Sequence, residues 1–560
     1  MAPSLMPTSL RGYDKTWLAR DIIAGLTLSA VAIPEVMGYT SIAQMPIVTG
    51  LYTVIFPTMV FALFCSSRLL VVGADSATAA VMAAGLTGLG MQGLTPSSPQ
   101  WVAMASLTAL VTAALLVVAR VLKLGFIGDF LSASVLIGFL TGVGVQVLTG
   151  QLPEMLGIPK GKGNWLQQQW ELLTSLGSIQ WAAFGFSAAT LVIILGFKKL
   201  APVVPGALVA VALLTALSAV LDSSASGVAV VGSVPKGFPP IGLPQGVTWS
   251  DAAAVVPIAV ACLVLILAQS AATSRSFAMK MGDRVDVNKD IVGLGGANLA
   301  AGLSGTFVVN GSPTKTKILY DLKGRTQLAN LTMAGVVLIF TVFATGLLAT
   351  MPKAVLASIV FLIGVGLVDL VGMKYLMRHS RVEFLVALAT ATTVCVVGVT
   401  QGIVLAIVLS LLDLIRRQYK PSDYVLTQDG DGEPVYQRAT PGSQSLPVLV
   451  VYRFDAELFY ANANRFVDDV EAVIVAAPDP VHWLAIDCAS MADIDYSASM
   501  SLRGLVDFAH ARQIEVHLVR PDTRFMDSLK AFDLVDEIRD DRVHATLEEV
   551  FNAFRAAPAS

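Results

Sequence analysis

Thirteen apolar runs, most of them close to twenty residues long, fill the first three quarters of this 560-residue chain. A helix needs about 20 apolar residues to cross the hydrocarbon core of a bilayer, so each run suits one crossing. Only 14% of the residues are charged, whereas soluble domains carry roughly 25%. The sequence therefore predicts an α-helical membrane protein with crossings at 21–45, 47–64, 74–92, 101–120, 125–148, 180–197, 203–221, 252–274, 288–305, 328–350, 354–372, 382–400 and 402–417.

A further stretch, TFVVNGSPTKTKILYDLK at 306–323, is apolar only in part, and we predict that it is a fourteenth, broken crossing. With fourteen crossings and a cytoplasmic N-terminus, twenty basic residues fall in the cytoplasmic loops. The opposite loops hold four, which are Lys160, Lys162, Lys236 and Lys353. Thirteen crossings would move the basic groups at 374–381 and 416–420 to the outside, against the positive-inside rule. We therefore expect fourteen crossings of the cell (inner) membrane, with both termini cytoplasmic.

The composition changes after Lys420. Residues 1–420 carry a net charge of +10 and the remainder carries −13. A cytoplasmic N-terminus at 1–20 and a transmembrane domain at 21–420 are followed by a polar linker at 421–446 and an α/β domain at 447–556, because strand and helix patterns alternate there. The expected strands lie at 447–453, 457–462, 482–488 and 514–519, and the expected helices at 463–476, 497–512, 523–532 and 546–555.

Fourteen crossings divide into seven plus seven, and an odd half-count makes the two halves an inverted repeat. The segment VVGADSAT at 71–78 aligns with VVNGSPTKT at 308–316, and AIPEVMGYT at 32–40 aligns with LAQSAATSR at 267–275. Chance remains an alternative explanation for such short matches. Both VVG-type segments are, however, also places where the apolar pattern breaks.

Short helices that begin at these breaks would expose free backbone N–H groups and the positive ends of their dipoles. Backbone of this kind is tolerated at membrane depth where it lines a cavity, and two facing N-termini form an anion site. The hydroxyl groups and the lysine that follow the breaks fit the same chemistry; they are Ser76, Thr78, Ser312, Thr314 and Lys315. The alternatives are that the small residues serve helix packing and that Lys315 snorkels to the cytoplasmic face.

Glu35 follows Pro34 inside an otherwise neutral crossing, where a charged group is costly. It could carry a proton, form a fixed counter-charge to Lys315, or cap a broken helix. Asp75, beside Gly73, is predicted to be a helix N-cap and not a substrate ligand.

Other functional classes find little support. The chain has 37 basic and 40 acidic residues, which argues against nucleic-acid binding, and its four cysteines are too scattered for a disulfide framework or a zinc site. No phosphate-binding loop, metal-ligand cluster or catalytic triad is present, and all five histidines lie outside the predicted crossings. We therefore expect neither an enzyme nor a bound cofactor.

The stretch IPEVMGYTSIAQMPIVTGLYT at 33–53 resembles the first-crossing signature of the sulfate permease (SulP) family of anion transporters and exchangers. Four more segments follow in the family's order, VGADSATAA at 72–80, NGSPTKT at 310–316, GRTQLANL at 324–331 and AVLASIVF at 354–361. The tail segment IDCASMADIDYSA at 486–498 resembles a STAS domain, the cytoplasmic module of these transporters.

The resemblance implies a seven-plus-seven inverted repeat, with a core domain (crossings 1–4 and 8–11) that moves against a gate domain (5–7 and 12–14) in elevator-like alternating access. The anion would lie between the half-helices of crossings 3 and 10. The implied anion-site positions are Gly73, Ala74, Ser76, Thr78, Gly311, Ser312, Thr314 and Lys315. Many members have Arg at the position of Lys315, and a Gly-Pro start where this chain has Gly73 and Ala74.

Coupling residues differ from the family pattern. Gln269 stands where many bacterial relatives have an acid associated with H⁺ or Na⁺ coupling, Thr273 follows one turn later, and Glu35 replaces a frequent Gln. These three residues are the coupling candidates. In the tail, Ser497 matches the phosphorylatable position of bacterial STAS regulators, so it is a candidate regulatory residue.

The sequence thus predicts a secondary transporter or exchanger of small anions, with sulfate, bicarbonate, chloride and dicarboxylates as candidates. We expect a homodimer in the lipid bilayer whose STAS domain can bind a cytoplasmic partner. Two alternatives remain. The first is a uracil-type nucleobase permease on the same fold, which Lys315 and the acidic tail disfavour, and the second is an anion channel or a membrane-tethered sensor.

Overall fold

The computed structural model describes residues 13–91, 93–123, 132–161, 164–201, 204–223, 227–419, 421–428 and 434–557. Most of the predicted N-terminal segment 1–20 and the beginnings of the predicted crossings 125–148 and 203–221 lie outside the described residues. The chain forms two compact units, Met1–Ser410 and Leu411–Ser560.

Helices make up nearly all of the described part of the first unit. In chain order they are α1 Leu18–Ala43, α2 Ile47–Tyr52, α3 Phe56–Phe64, α4 Ser76–Gly88, α5 Pro99–Val121, α6 Ala133–Leu156, α7 Trp165–Thr174, α8 Trp181–Leu200, α9 Gly206–Val220, α10 Trp249–Met281, α11 Val287–Leu303, α12 Pro313–Asp321, α13 Leu328–Phe343, α14 Lys353–Leu367, α15 Leu370–His379, α16 Arg381–Val396 and α17 Val399–Tyr419.

Each predicted crossing contains at least one of these helices. Among the described residues, seven helical segments are long and apolar enough to cross a membrane, and they are Lys15–Ala43, Ile47–Phe64, Pro99–Val121, Ala133–Leu156, Trp181–Leu200, Trp249–Met281 and Lys353–His379. Four shorter apolar helices are Ser76–Gly88, Gly206–Val220, Leu328–Phe343 and Val404–Asp413. The helical membrane fold is therefore confirmed, while the count of fourteen crossings stays a prediction.

Helix packing in the first unit follows the expected inverted repeat. Helices α1 and α10 occupy corresponding positions in the two predicted repeats, and so do α5 and α13. Helix α1 packs against α13, and α10 packs against α5. Helix α3 packs against its own mate α11, as α6 does against α14. The α6–α14 contact depends on paired glycines, since a Cβ on Gly144 would lie 2.8 Å from the carbonyl oxygen of Gly364. The contacts therefore pair corresponding helices of the two predicted halves within one bundle.

Two helices of this unit begin inside the bundle. The two-residue strands β1 (Val72–Gly73) and β2 (Asn310–Gly311) pair antiparallel, and α4 and α12 start just after them. The backbone N–H of Ser312 also donates to the carbonyl oxygen of Val71 (2.9 Å). Glycine and serine interrupt the apolar pattern at both places, and Pro313 does so at the second, so the predicted half-helices are confirmed.

The second unit contains a six-stranded sheet of order β4-β3-β5-β6-β7-β8, in which β5 to β8 are parallel. Its strands are β3 Asp423–Gln428, β4 Pro434–Arg438, β5 Leu449–Phe454, β6 Trp483–Asp487, β7 Glu515–Val519 and β8 Val543–His544. Its helices are α18 Ala463–Val475, α19 Tyr496–His510, α20 Thr523–Ala531, α21 Val535–Ile538 and α22 Leu547–Ala556. One face of the sheet packs against α18 to α21, and the other packs against α22.

Two expectations for this unit are wrong. The segment 421–446, predicted as a linker, contributes β3 and β4 to the sheet, because Val425 and Leu426 are buried on its opposite faces. The strand expected at 457–462 is a turn, which Asn462 closes by accepting from the Phe459 N–H through its side chain (3.0 Å). The polar composition of 421–446 gave no indication of the hairpin. The buried apolar residues at 457–462 resembled those of a strand.

Candidate functional site

A cavity of about 480 Å³ lies between the starts of α4 and α12, beside the middle of α1. Its polar lining residues are Glu35, Tyr39, Asp75, Ser76, Gln269 and Thr314. The opposite wall is apolar and comes from α6, α8, α9 and α14; it consists of Leu140, Ile194, Ala207, Ile359, Leu362, Ile363, Gly366 and Leu367. We call this space the inner cavity.

Asp75 caps the start of α4. Its side chain accepts from the backbone N–H groups of Ala77 (3.1 Å) and Thr78 (3.4 Å). The predicted N-cap is therefore confirmed, although Asp75 also borders the inner cavity. Thr78 is fully buried, and its hydroxyl donates to the Asp75 carbonyl oxygen, so it does not face the cavity.

Ser312 caps the start of α12 in the same way, accepting from the backbone N–H of Lys315 (3.3 Å). Pro313 occupies the first helical position, which suits proline because no intrahelical partner is lost there. Thr314 follows and is exposed to the inner cavity. Both half-helices thus present their N-terminal turns to one space.

Lys315 joins the two half-helices. Its side chain is completely buried, and its ammonium donates to the carbonyl oxygen of Ala74 (2.9 Å), just before α4. The same ammonium lies 3.6 Å from Glu35 Oε1 and 4.8 Å from the centre of the Tyr39 ring. Snorkelling of Lys315 to the surface is therefore wrong, and the structure contains the pair with Glu35 that the counter-charge hypothesis requires.

Tyr39 completes this group, although the sequence reasoning did not select it. Its hydroxyl donates to Glu35 Oε1, while Glu35 Oε2 is buried with no hydrogen-bond partner. The signal that could have found Tyr39 is its spacing, since residues four apart are neighbours on one face of a helix. One tyrosine thus contacts both the acid and the base of the site.

Gln269 on α10 is tied to β2. Its side-chain oxygen accepts from the Asn310 amide (2.5 Å), and the neighbouring Ser270 hydroxyl donates to the other atom of that amide group, Oδ1 (2.8 Å). The Gly311 N–H donates back to Ser270 Oγ (3.1 Å). Thr273 is buried one turn later and is not part of the cavity lining. A neutral amide network therefore occupies the position at which the resemblance implies an acid in many bacterial relatives.

The predicted site residues fall into two layers. Glu35, Ser76, Gln269 and Thr314 line the inner cavity. The remaining predicted positions are buried and do not line the cavity; they are Gly73, Ala74, Thr78, Thr273, Gly311, Ser312 and Lys315. The apolar wall was missed, because its residues have the same character as lipid-facing ones.

Ser497 lies far along the chain, in the second unit. It is exposed at the second residue of α19, whose N-cap is Asp495. A phosphate on Ser497 would lie at a helix N-terminus, which favours negative charge. Asp487, at the end of β6, is fully buried and accepts from Arg520 and from the Tyr436 hydroxyl.

Comparison with protein families gives two matches along the chain. The model of the sulfate permease family matches residues 18–390, and that of the STAS domain matches residues 440–550. A probable sulfate transporter of Mycobacterium tuberculosis is 33% identical over 553 residues, which cover 97% of each protein.

Two solved structures share the fold. Murine Solute Carrier 26 family member A9, an anion transporter in the inward-facing state, superimposes with a TM-score of 0.87 at 20% identity, over 99% of this chain and 94% of that one. The transmembrane domain of a cyanobacterium bicarbonate transporter, BicA, gives a TM-score of 0.60 at 24% identity, over 71% of this chain and 97% of that one.

Proposed function

The chain belongs to the sulfate permease family of anion transporters, and we propose that it moves small anions of the sulfate, bicarbonate, chloride or dicarboxylate class by secondary transport or exchange. The observation that carries this proposal is the inner cavity. Two helix N-termini, those of α4 and α12, meet there with a fully buried lysine behind them. Backbone N–H groups and dipole ends of this kind suit an anion.

Charge in the site supports coupling of the anion to a proton. Among the described residues that line the cavity or lie against it, Glu35 and Asp75 are acidic and Lys315 is basic. With both carboxylates ionised the group carries a net negative charge, which repels an incoming anion. A proton on Glu35 releases the charge of Lys315 from its pair and leaves the site neutral. The anion and the proton therefore bind together in this proposal.

A sodium ion is the weaker candidate for coupling. Na⁺ prefers oxygen ligands, and the side-chain oxygen of Gln269 already accepts a hydrogen bond from Asn310. Glu35 Oε2, in contrast, is buried without a partner and can hold a proton.

The two walls of the cavity support elevator-like movement. The polar wall belongs to the helices of the expected core domain, and the apolar wall belongs to those of the expected gate domain. A smooth apolar wall forms few specific bonds with the half-helices, so the core can slide along it while carrying the anion.

Position and assembly are part of the same proposal. The charge bias of the loops supports cytoplasmic termini in the inner membrane. We propose a homodimer whose STAS domain binds a cytoplasmic partner, with the exposed Ser497 as its regulatory residue.

Counterflow of labelled sulfate into liposomes that contain the purified full-length protein tests the proposal. Unlabelled bicarbonate, chloride and dicarboxylates serve as competitors, with and without pH and Na⁺ gradients. We expect a saturable flux that increases when the outside is acidified and does not change with the Na⁺ gradient. Saturable uracil uptake without anion flux would overturn the proposal, and a conductance that does not saturate would indicate a channel.

A further inference from the structure

A second polar space lies at the opposite end of the bundle, where α1 ends. It consists of two adjoining cavities of about 400 and 580 Å³. The two cavities share six lining residues, which are Ser41, Gln44, Gly150, Gln151, Lys160 and Gln168. We call this space the outer recess, because the predicted topology puts this end of α1 outside the cell.

The outer recess is lined by amide and charged side chains. Its described lining includes five glutamines, which are Gln44, Gln146, Gln151, Gln168 and Gln401. Two lysines, Lys160 and Lys353, face one carboxylate, Glu154. The starts of α14 and α17, at Lys353 and Val399, also border the recess and add the positive ends of two helix dipoles. This lining favours a hydrated anion over a cation.

The outer recess and the inner cavity lie along one line. Four helices contribute to both spaces, with lining residues two to six positions apart; the pairs are Tyr39 and Ser41, Ser76 and Ala80, Leu140 and Gln146, and Ile359 and Leu356. At 1.5 Å per residue this spacing is roughly 3–9 Å.

The barrier between the two spaces is tightly packed. A Cβ on Gly38 of α1 would lie 3.0 Å from Val360 of α14. Opening this contact would join the outer recess to the anion site, so the recess occupies the closed half of the same path.

We propose that the outer recess is a second anion site, at which Lys160 captures the transported anion before the path opens to the outside. Lys160 borders both cavities of the recess, whereas Lys353 borders one. The inference rests on the proposed anion transport. It adds a site that binds the anion on the outer side while the inner cavity is open to the cytoplasmic side.

Uptake of labelled sulfate by cells that express the full chain tests the role of Lys160. We expect Lys160→Gln to raise the external sulfate concentration for half-maximal uptake by roughly three- to tenfold, because it removes an attractive charge on the approach path. The maximal rate should change little, and Lys160→Arg should restore the wild-type value. Lys236→Gln is the matched control, since Lys236 is exposed on the same predicted face but does not line the recess.

Equal half-maximal concentrations for Lys160→Gln and Lys236→Gln would overturn the inference. So would a Lys160→Gln variant that loses only its maximal rate, because that result indicates a structural role.

A binding measurement separates failure of this inference from failure of the proposed function. Trp165 lines the recess, and its indole N–H donates to Thr149 Oγ1 (3.0 Å). The fluorescence of Trp165 is obtained by subtracting the emission of a Trp165→Phe variant from that of the purified full-length protein. We expect sulfate to change this signal in the wild type and in Lys315→Met, but not in Lys160→Gln. Absence of uptake of sulfate, bicarbonate, chloride and dicarboxylates by the wild type would defeat the proposed transport, whereas a sulfate response that survives in Lys160→Gln would defeat the capture role of Lys160 alone.

Discussion

The half-helices α4 and α12 begin in the same way but have different charges beside them. Each follows a two-residue strand, each has a side-chain cap, and each points its first turn into the inner cavity. In the first repeat, α1 contributes the acid Glu35, whereas in the second repeat α10 contributes the amide of Gln269. The lysine stands only on α12, and it bonds to the carbonyl oxygen of Ala74 in the first repeat.

This asymmetry gives the two repeats different roles although their backbones are alike. The ion pair between Glu35 and Lys315 crosses from one repeat to the other, while the amide network of Gln269 and Asn310 stays inside the second repeat. In the proposed mechanism, a proton on Glu35 would therefore act on both half-helices. The amide network does not titrate and holds its own half-helix in a fixed position.

Replacing the shared lysine should have the largest effect. Lys315→Met removes the bond that joins α12 to Ala74 and the positive charge beside Glu35. We expect it to reduce sulfate uptake by about ten- to a hundredfold, which corresponds to roughly 1.4–2.8 kcal/mol. The variant also leaves Glu35 buried without its partner, which costs roughly 3–5 kcal/mol of stability. Thermal unfolding of the Glu35→Gln/Lys315→Met double variant is the control. It should recover stability and not transport, and recovery of transport would remove the lysine from the mechanism.

Glu35→Gln makes the two repeats alike by placing an amide on each side. Glutamine keeps the acceptor for the Tyr39 hydroxyl but cannot carry a proton. We expect the stimulation of uptake by external acid to disappear in proteoliposomes, since no proton then accompanies the anion. Glu171→Gln, on the peripheral helix α7, is the matched control for loss of a carboxylate. Unchanged rates and unchanged pH dependence in Glu35→Gln would reject the coupling role.

Breaking the amide network should have a smaller effect. Gln269→Leu leaves the buried Asn310 amide without its acceptor, at a cost of roughly 1–3 kcal/mol. We expect a lower thermal unfolding temperature and slower uptake, with the pH dependence retained. Ser276→Ala on the same helix is the control, since Ser276 does not line the inner cavity, and it should change neither. Loss of the pH dependence in Gln269→Leu would instead place part of the coupling in the second repeat.

A buried base in the STAS domain sharpens the comparison with Lys315. His517 of β7 stacks on Trp483 at 3.8 Å, and its Nδ1 lies 3.0 Å from His544 Nε2. Burial is the main cause that lowers the pKa of His517 to about 3, and nearby His544 and Arg542 lower it further while Asp541 opposes them. Glu515 lies 3.6 Å away, but it is half exposed and paired with Arg542. This base is therefore neutral at pH 7, whereas Lys315 lies 3.6 Å from Glu35.

Acid should consequently destabilise the STAS domain, with the smallest effect of the four predictions. The unfolded chain protonates this histidine near pH 6.5, whereas the folded chain resists protonation down to about pH 3. The unfolded state binds more protons in that window, so stability falls as the pH drops from 6.5 toward 3. Hydrogen exchange in β7 and β8 of the full-length protein measures the loss. His517→Phe should flatten the pH response, and an unchanged response would assign the acid sensitivity to other groups.

The sequence was most informative where chemistry interrupts a pattern. Gly73, Asp75 and Ser76 break one apolar run, Gly311, Ser312 and Pro313 break the other, and the half-helices begin there. Asp75 could be assigned as a cap because a short acceptor ahead of a helix satisfies free N–H groups locally. Glu35 and Lys315 stood out because charges are rare at membrane depth.

Other parts of the site depend on contacts between distant segments. The bond from Lys315 to Ala74 joins residues 241 positions apart, and no local pattern specifies it. Leu362 and Ile363 of the apolar wall look like lipid-facing residues until the bundle is assembled. The hairpin of β3 and β4 was missed because its polar composition resembles that of a linker.

The pairing of β1 with β2 has a mechanical consequence. Although only two residues long on each side, it joins segments separated by more than two hundred positions through backbone bonds, and Ser312 and Thr316 of the second half extend it by bonding to Val71. The two helix starts are thereby fastened to each other as one carrier. A bound anion would not be handed from one helix to the other but would travel with both.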